Sequence, residues 1–181
     1  MAAARDALAA DEAARLSARI RDRLLAGPEA ARAGSVFIYV SQGNEVDTRA
    51  LIGEFLRQGK TVTVPLITGE GTMEAHRITC AGDLSPGKFG IHAPRSPRPF
   101  AGDPDLAVCP GVAFTARGDR LGRGKGYYDR FLAGHPGSFA VGLCYDFQVV
   151  DEIPSSPEDR PVALIVTESR AIRTSGKMGT C

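Results

Sequence analysis

The residues with the most chemistry to offer lie between Gly118 and Arg130, in the run Gly-Asp-Arg-Leu-Gly-Arg-Gly-Lys-Gly-Tyr-Tyr-Asp-Arg. Gly118, Gly122, Gly124 and Gly126 let backbone N–H groups approach an anion closely and adopt positive φ. Arg120, Arg123 and Lys125 alternate with them and bring positive charge to the same place. The run follows a predicted strand and opens a predicted helix near Tyr127, whose first N–H groups and dipole favour an anion. Asp129 adds a hard carboxylate of the kind that holds Mg²⁺ beside phosphate and water. The spacing is neither Gly-x-x-x-x-Gly-Lys-Ser/Thr nor Gly-x-Gly-x-x-Gly, so neither common phosphate loop is present. The residues alone leave two equal readings: a polyphosphate cradle, or a solvated basic loop ahead of a helix.

Other combinations offer less. Cys80, Cys109, Cys144 and Cys181 are widely spaced and include no Cys-x-x-Cys pair, and His76, His92 and His135 stand apart. That spacing argues against structural zinc. Cys109 and Cys144 read as buried strand thiols, and no Ser/His/Asp or Cys/His triad stands out. By spacing alone Glu45 reads as an exposed turn carboxylate before a helix.

The elements that must position these groups alternate. Ala13, Leu16, Ile20 and Leu24 recur at helical spacing and predict a helix over about 11–26, ended by Gly27-Pro28. Val36–Val40 predicts a strand, and Leu51, Ile52, Phe55 and Leu56 a helix stopped by Gly59. Thr61–Pro65 predicts the next strand, completing a parallel βαβ unit. Met73–Ile78 reads as a strand inside an otherwise loop-like, Gly- and Pro-rich stretch from 68 to 105. Leu106–Cys109, Ser138–Tyr145 and Val162–Thr167 predict three more strands. The fold class is α/β: a single domain with a mostly parallel sheet, helices on both faces, and the ligand site at the carboxyl ends of the strands.

Composition narrows the function classes. The 181 residues are 43% hydrophobic and 24% charged, with a net charge of +1. That size supports one core without staples, and the charge gives no general field for nucleic acid. An RNA-binding module using the basic loop is disfavoured, since there is no wider aromatic platform. No apolar run approaches the ~18 residues of a membrane span. Asp6, Asp11 and Glu12 interrupt the alanine-rich start, against a signal or transit peptide. The expectation is a cytoplasmic protein, monomeric, with small-molecule partners and neither nucleic acid nor membrane.

The run Arg120–Arg130 resembles the nucleotide loop of the 5-formyltetrahydrofolate cyclo-ligases, also called methenyltetrahydrofolate synthetases. Other segments fall in that family's order: Val36–Val40 followed by Glu45-Val-Asp-Thr48, Gly59–Pro65, Phe89-Gly-Ile91 with Pro94, Asp105–Phe114, and Ile165–Glu168. The resemblance covers about residues 10–168. It implies a ligase that closes 5-formyltetrahydrofolate to 5,10-methenyltetrahydrofolate, consuming ATP with Mg²⁺ and releasing ADP and phosphate. Residues 1–168 would form one cyclo-ligase-like domain and 169–181 a flexible tail. ATP would fall to Arg120, Leu121, Gly122, Arg123, Gly124, Lys125, Gly126, Tyr127 and Tyr128, with Arg120, Arg123 and Lys125 catalytic. Folate would take Val40 and Glu45 and share Arg123, Gly124, Lys125, Gly126 and Tyr127. Mg²⁺ would sit on Asp129 and Asp159. Of the two tyrosines, one is expected to stack on a ligand ring and the other to pack.

The resemblance also has gaps. The family begins with a basic helical segment reaching the ATP phosphates; counted back from Ser17, that segment falls before residue 1. Arg5 is the nearest cation, out of register. Ala93 stands where many relatives carry Glu, and Ala163 where an acid often lies inside the last strand. Arg160 could tie up Asp159 as an ion pair. The alternative function is a noncatalytic paralogue that binds nucleotide or reduced folate.

Overall fold

A computed structural model describes residues 2–87 and 92–174. In chain order it contains α1 (Ala2–Asp6), α2 (Ala10–Leu25), α3 (Pro28–Arg32), β1 (Ser35–Ile38), α4 (Arg49–Arg57), β2 (Thr61–Gly69), β3 (Thr72–Ile78), β4 (Leu84–Pro86), β5 (His92–Pro94), β6 (Leu106–Cys109), β7 (Ala113–Thr115), β8 (Arg120–Leu121), α5 (Tyr127–Gly134), β9 (Phe139–Leu143), β10 (Val149–Val150), β11 (Leu164–Val166) and β12 (Ala171–Arg173).

Seven strands form the central sheet in the order β12-β11-β9-β6-β1-β2-β3. The five inner strands are parallel; β3 and β12 are antiparallel edges. Strand residues alternate between two buried faces, as period-2 side chains must. Val36, Ile38, Leu106, Val108, Val141, Leu143, Leu164 and Val166 pack with Leu16, Ile20 and Leu24 of α2 and Leu51, Ile52 and Phe55 of α4. Phe37, Ala107, Cys109, Ala140 and Ile165 face the other way, onto Phe131 and Leu132 of α5 and Phe114 of β7. Small residues recur on this second face because three rings occupy it: Phe37 and Phe131 stack at 4.0 Å between centroids, and Phe114 lies over Gly142. Each fully buried large side chain contributes about 1.5–3 kcal/mol.

The inner strands are held in register at their starts by Asp105. Its Oδ2 accepts from Gly34 N (2.9 Å), Ser35 N (2.8 Å) and Ser35 Oγ (2.9 Å), joining the head of β6 to the head of β1. Those Ser35 hydrogen bonds keep the Asp105 carboxyl below its ordinary range. From β1 the chain runs to β2 on one side, and from β6 to β9 and β11 on the other. The β1–β6 gap is therefore the point where the winding reverses, and a crevice opens at the carboxyl ends of these two strands.

Three expectations need correction. The stretch 68–105 holds more order than Met73–Ile78: within its loops β4 and β5 pair antiparallel as a small hairpin against the sheet. The Phe89–Ile91 part of the resemblance lies outside the described residues. The glycine-rich run does not follow a central strand directly: β7 precedes it and β8 lies within it, both in a three-stranded sheet ordered β10-β7-β8. Ala171–Arg173 does not fray; its ladder with β11 makes it the sheet's edge. The remaining tail, 175–181, is outside the described residues.

Candidate active site

A cleft of about 960 Å³ opens at the β1–β6 switch point. Val40, Glu45, every residue from Arg120 to Asp129, and Asp159 line it. The chain thus brings all the sequence-predicted site residues to one cavity, from three separate segments.

The first wall is the turn after β1. It is built by side chains bonding back to the backbone, as short polar residues do in turns. Thr48 Oγ1 donates to Tyr39 O (2.7 Å), Ser41 N donates to Thr48 Oγ1 (3.0 Å), and Tyr39 Oη donates to Val46 O (2.9 Å). Burial, then the Glu45 carboxylate, raises the Tyr39 hydroxyl well above its usual range. Val40 is 3% exposed. Glu45 is not an exposed turn carboxylate: its side chain is 12% exposed. Its Oε2 accepts from Gln42 N at 3.0 Å and its Oε1 from Arg123 Nη2 at 2.8 Å.

The second wall is the glycine-rich loop. Gly126 caps α5 in the left-handed region (φ 63°), where a side chain is strained, and the chain there turns sharply into the helix. Arg123, Gly124 and Lys125 are exposed at the mouth of the cleft. Arg120 is different. Held on β8, its side chain is only 3% exposed, and Nη2 donates to Asp129 Oδ1 at 2.7 Å. Its guanidinium lies 5.5 Å from the Tyr128 ring centroid. Arg120 therefore braces the loop against α5 as well as facing the cavity. Tyr128 is the packing tyrosine, tilted against Phe37 at 6.2 Å with its hydroxyl pKa raised by burial. Tyr127 lines the cleft half-buried.

The two carboxylates expected at the metal have different partners. Asp129 pairs with Arg120, and its Oδ1 also accepts from Arg160 N at 3.1 Å. Asp159 is not paired with the Arg160 guanidinium among the described residues; its Oδ2 accepts from Ser156 N at 2.6 Å. Each acid keeps its other oxygen without a donor among the described residues. No group of three His, Cys, Asp or Glu side chains with metal-binding geometry occurs among those residues.

Sequence reasoning undervalued two features. Arg5, judged out of register, lines the cleft with its side chain 9% exposed. Among the described residues its Nε is buried without a hydrogen-bond partner, and its nearest carboxylate is Asp6 at 3.9 Å. Asn44 docks this segment: Nδ2 donates to Arg5 O and Leu8 O, both at 3.1 Å. The second feature is an apolar wall made by Pro65, Ile67 and Met73 of the β2–β3 hairpin. Those residues looked like ordinary strand positions. Around the cleft six cations (Arg5, Arg120, Arg123, Lys125, Arg130 and Arg160) face four carboxylates. The balance is positive at the loop and helix start, as a polyanion requires. Among the described residues no helix is long and apolar enough to cross a membrane.

The model of the 5-formyltetrahydrofolate cyclo-ligase family matches residues 1–168. A probable 5-formyltetrahydrofolate cyclo-ligase of Schizosaccharomyces pombe is 32% identical over 164 residues, covering 81% of this chain and 80% of the relative. The Escherichia coli K12 5-formyltetrahydrofolate cyclo-ligase is 30% identical, covering 92% and 95%. The solution structure of Aquifex aeolicus 5,10-methenyltetrahydrofolate synthetase superposes with a TM-score of 0.85 at 33% identity, over 98% of this chain and 90% of that one. With this architecture, cleft and family match in place, the chain belongs to the 5-formyltetrahydrofolate cyclo-ligase family.

Proposed function

We propose that this cyclo-ligase converts 5-formyltetrahydrofolate to 5,10-methenyltetrahydrofolate at the expense of ATP, through a phosphorylated formyl oxygen. The single observation that carries the reading is the shared cleft: a glycine-rich cationic loop at a helix start faces a half-buried carboxylate and an apolar wall across one cavity. The apolar wall of Pro65, Ile67 and Met73 suits the flat face of a reduced pterin. Val40 and Glu45 take the same ligand. The loop from Arg120 to Tyr128 takes the triphosphate.

The chemistry asks little covalent work of the protein. A formamide oxygen is a poor leaving group. Its attack on the γ-phosphorus expels ADP and forms an imidate-like phosphate. N10 then attacks the formyl carbon, loses its proton, and the C–O bond breaks to release inorganic phosphate carrying the former formyl oxygen. The first step needs alignment of oxygen with phosphorus and neutralisation of the phosphoryl charge. Lys125 and Arg123, exposed on the loop, supply the charge. Arg120, locked to Asp129, supplies a fixed direction for it.

Mg²⁺ fits the donor set. Asp129 and Asp159 line the same cleft, and each offers one oxygen outside the hydrogen bonds described above. A Mg²⁺ ion takes one or two carboxylates and completes its shell with phosphate and water. When bound, the ion would neutralise phosphate charge.

Isotope transfer tests the route. With 5-formyltetrahydrofolate labelled with ¹⁸O in the formyl group, the released phosphate should carry the label, one per turnover. Unlabelled phosphate would overturn the phosphorylated-oxygen step. Nucleotide or folate binding with neither ATP turnover nor folate conversion would favour the noncatalytic alternative.

A further inference from the structure

Arg130 reaches in two directions from the first turn of α5. Its Nε donates to Gly71 O at 2.6 Å, and its Nη2 donates to the carbonyl oxygen of Lys125. Gly71 sits in the turn between β2 and β3, 59 residues away in sequence. Lys125 lies inside the glycine-rich loop. No strand ladder joins these two segments, although α5 packs on β3.

Two glycines make the seat for this guanidinium. Gly71 has φ 71°, and a Cβ there would lie 2.6 Å from Arg130 Cζ. Gly126 has φ 63°, and a Cβ there would lie 3.0 Å from Nη1. Both positions favour glycine for the backbone conformation, and a side chain at Gly71 would in addition displace the Arg130 guanidinium from its seat.

A loop with glycines at 122, 124 and 126 has many conformations to lose when a ligand orders it. Anchoring one carbonyl removes much of that freedom beforehand. It also sets direction. In a planar trans peptide the C=O and the following N–H point opposite ways. With Lys125 O seated on Arg130, the Gly126 N–H is aimed away from Arg130, and the Lys125 side chain departs from a fixed Cα.

We propose that Arg130 is a positioning residue that latches the glycine-rich loop to the β2–β3 turn through the Lys125 and Gly71 carbonyls, preorganising the loop for the nucleotide triphosphate. The nucleotide part rests on the reading that this loop takes ATP; the latch itself does not. The latch also ties Ile67 and Met73, on the same hairpin, to the loop, so the two walls of the cleft are mechanically joined.

The test uses Arg130→Gln, Arg130→Lys, Gly71→Asn and the double variant Arg130→Gln/Gly71→Asn. Asn tolerates positive φ better than most residues, so Gly71→Asn mainly adds a Cβ where the guanidinium sits. Limited trypsin digestion without ligands, read by mass spectrometry, reports cleavage after Arg123 and Lys125. Arg130→Gln and Gly71→Asn should each speed that cleavage by about fivefold or more, as local opening becomes easier. The double variant should be no faster than Arg130→Gln, because both act on one latch. Arg130→Lys should recover part of the protection, since an ammonium cannot fork across two carbonyls. In steady-state assays the KM for ATP should rise about tenfold, roughly what a lost charged hydrogen bond costs. The KM for 5-formyltetrahydrofolate and the melting temperature should stay near wild type. Unchanged cleavage, or additive effects in the double variant, would overturn the latch. Equal losses for both substrates with a lower melting temperature would reduce Arg130 to a general stabiliser. If wild type fails to turn over ATP, the nucleotide reading falls, while the digestion result still decides the latch.

Discussion

Glu45 Oε1 accepts a hydrogen bond from Arg123 Nη2 at 2.8 Å, joining the turn after β1 to the glycine-rich loop across 78 residues of sequence. Glu45 is 12% exposed in its side chain while Arg123 is 60% exposed. The carboxylate is thus the fixed partner and the guanidinium the movable one. Under the proposed function this contact is exchangeable: Arg123 would leave Glu45 for phosphate, and Glu45 would become available to the folate.

That exchange predicts the effect of Glu45→Gln. The amide keeps an acceptor for Arg123 but loses the charge. Binding of 5-formyltetrahydrofolate should weaken by about tenfold or more, in line with loss of a charged hydrogen bond. ATP binding should change less than about threefold, since an exposed ion pair contributes little. Calorimetry with each ligand separately checks this, and equal losses for both would contradict it.

Arg5→Ala should raise the KM for ATP by about ten- to a hundredfold, the equivalent of 1.5–3 kcal/mol for a charged contact. A buried guanidinium whose Nε has no hydrogen-bond partner among the described residues contributes little to folding, so the same change should leave the melting temperature unchanged or raise it. A fall in melting temperature with an unaltered KM would make Arg5 structural. Melting curves with and without MgATP separate the two.

The Arg120–Asp129 pair should show the opposite balance. Its side chains are 3% and 18% exposed. Arg120→Ala leaves a nearly buried carboxylate uncompensated, a loss on the order of 3 kcal/mol of stability. Asp129→Asn should cost less stability but raise the Mg²⁺ concentration for half-maximal turnover, because an amide oxygen is a poorer ligand for this cation. Denaturant titration and Mg²⁺ titration of both variants test the pair.

Lys125→Ala should lower kcat by about 10²–10³-fold with little change in melting temperature, the range for removing one preorganised donor from developing charge. A kcat within about twofold of wild type would contradict the catalytic assignment of the loop.

The thiols predict an alkaline limit. Burial pushes Cys109 up from an ordinary 9.0 to about 12, and Cys144 is raised further by the same cause. The unfolded chain therefore loses these protons first. Their contribution to stability is intact below about pH 9 and declines as pH rises toward 12. The buried Tyr39 and Tyr128 hydroxyls act with the same sign. Thiol labelling at pH 8 should modify exposed Cys80 and spare Cys109 and Cys144 until denaturant is added; rapid labelling of Cys109 in the native protein would contradict the packing.

Much of this was legible in the chain. Continuous apolar runs such as Val36–Val40 and Leu106–Cys109 are buried on both faces, so their apolar character betrays the parallel sheet. Four glycines with interleaved cations marked the loop because neither helical nor strand periodicity produces that pattern. Other features depend on long-range pairing. The inward turn of Arg120 follows from the β7–β8 ladder, where Phe114 pairs with Arg120, and strands of two or three residues carry no periodicity. Arg5 reaches the cleft because Asn44 holds its backbone, a contact no local spacing encodes. β12 is three residues long and defined only by its partner.

The most direct test is to mix the purified protein with 5-formyltetrahydrofolate and follow methenyltetrahydrofolate absorbance, with and without MgATP. The account predicts growth of that absorbance only when MgATP is present, with one ADP formed per methenyltetrahydrofolate. Binding of both ligands with no growth of absorbance, or growth independent of ATP, would contradict it.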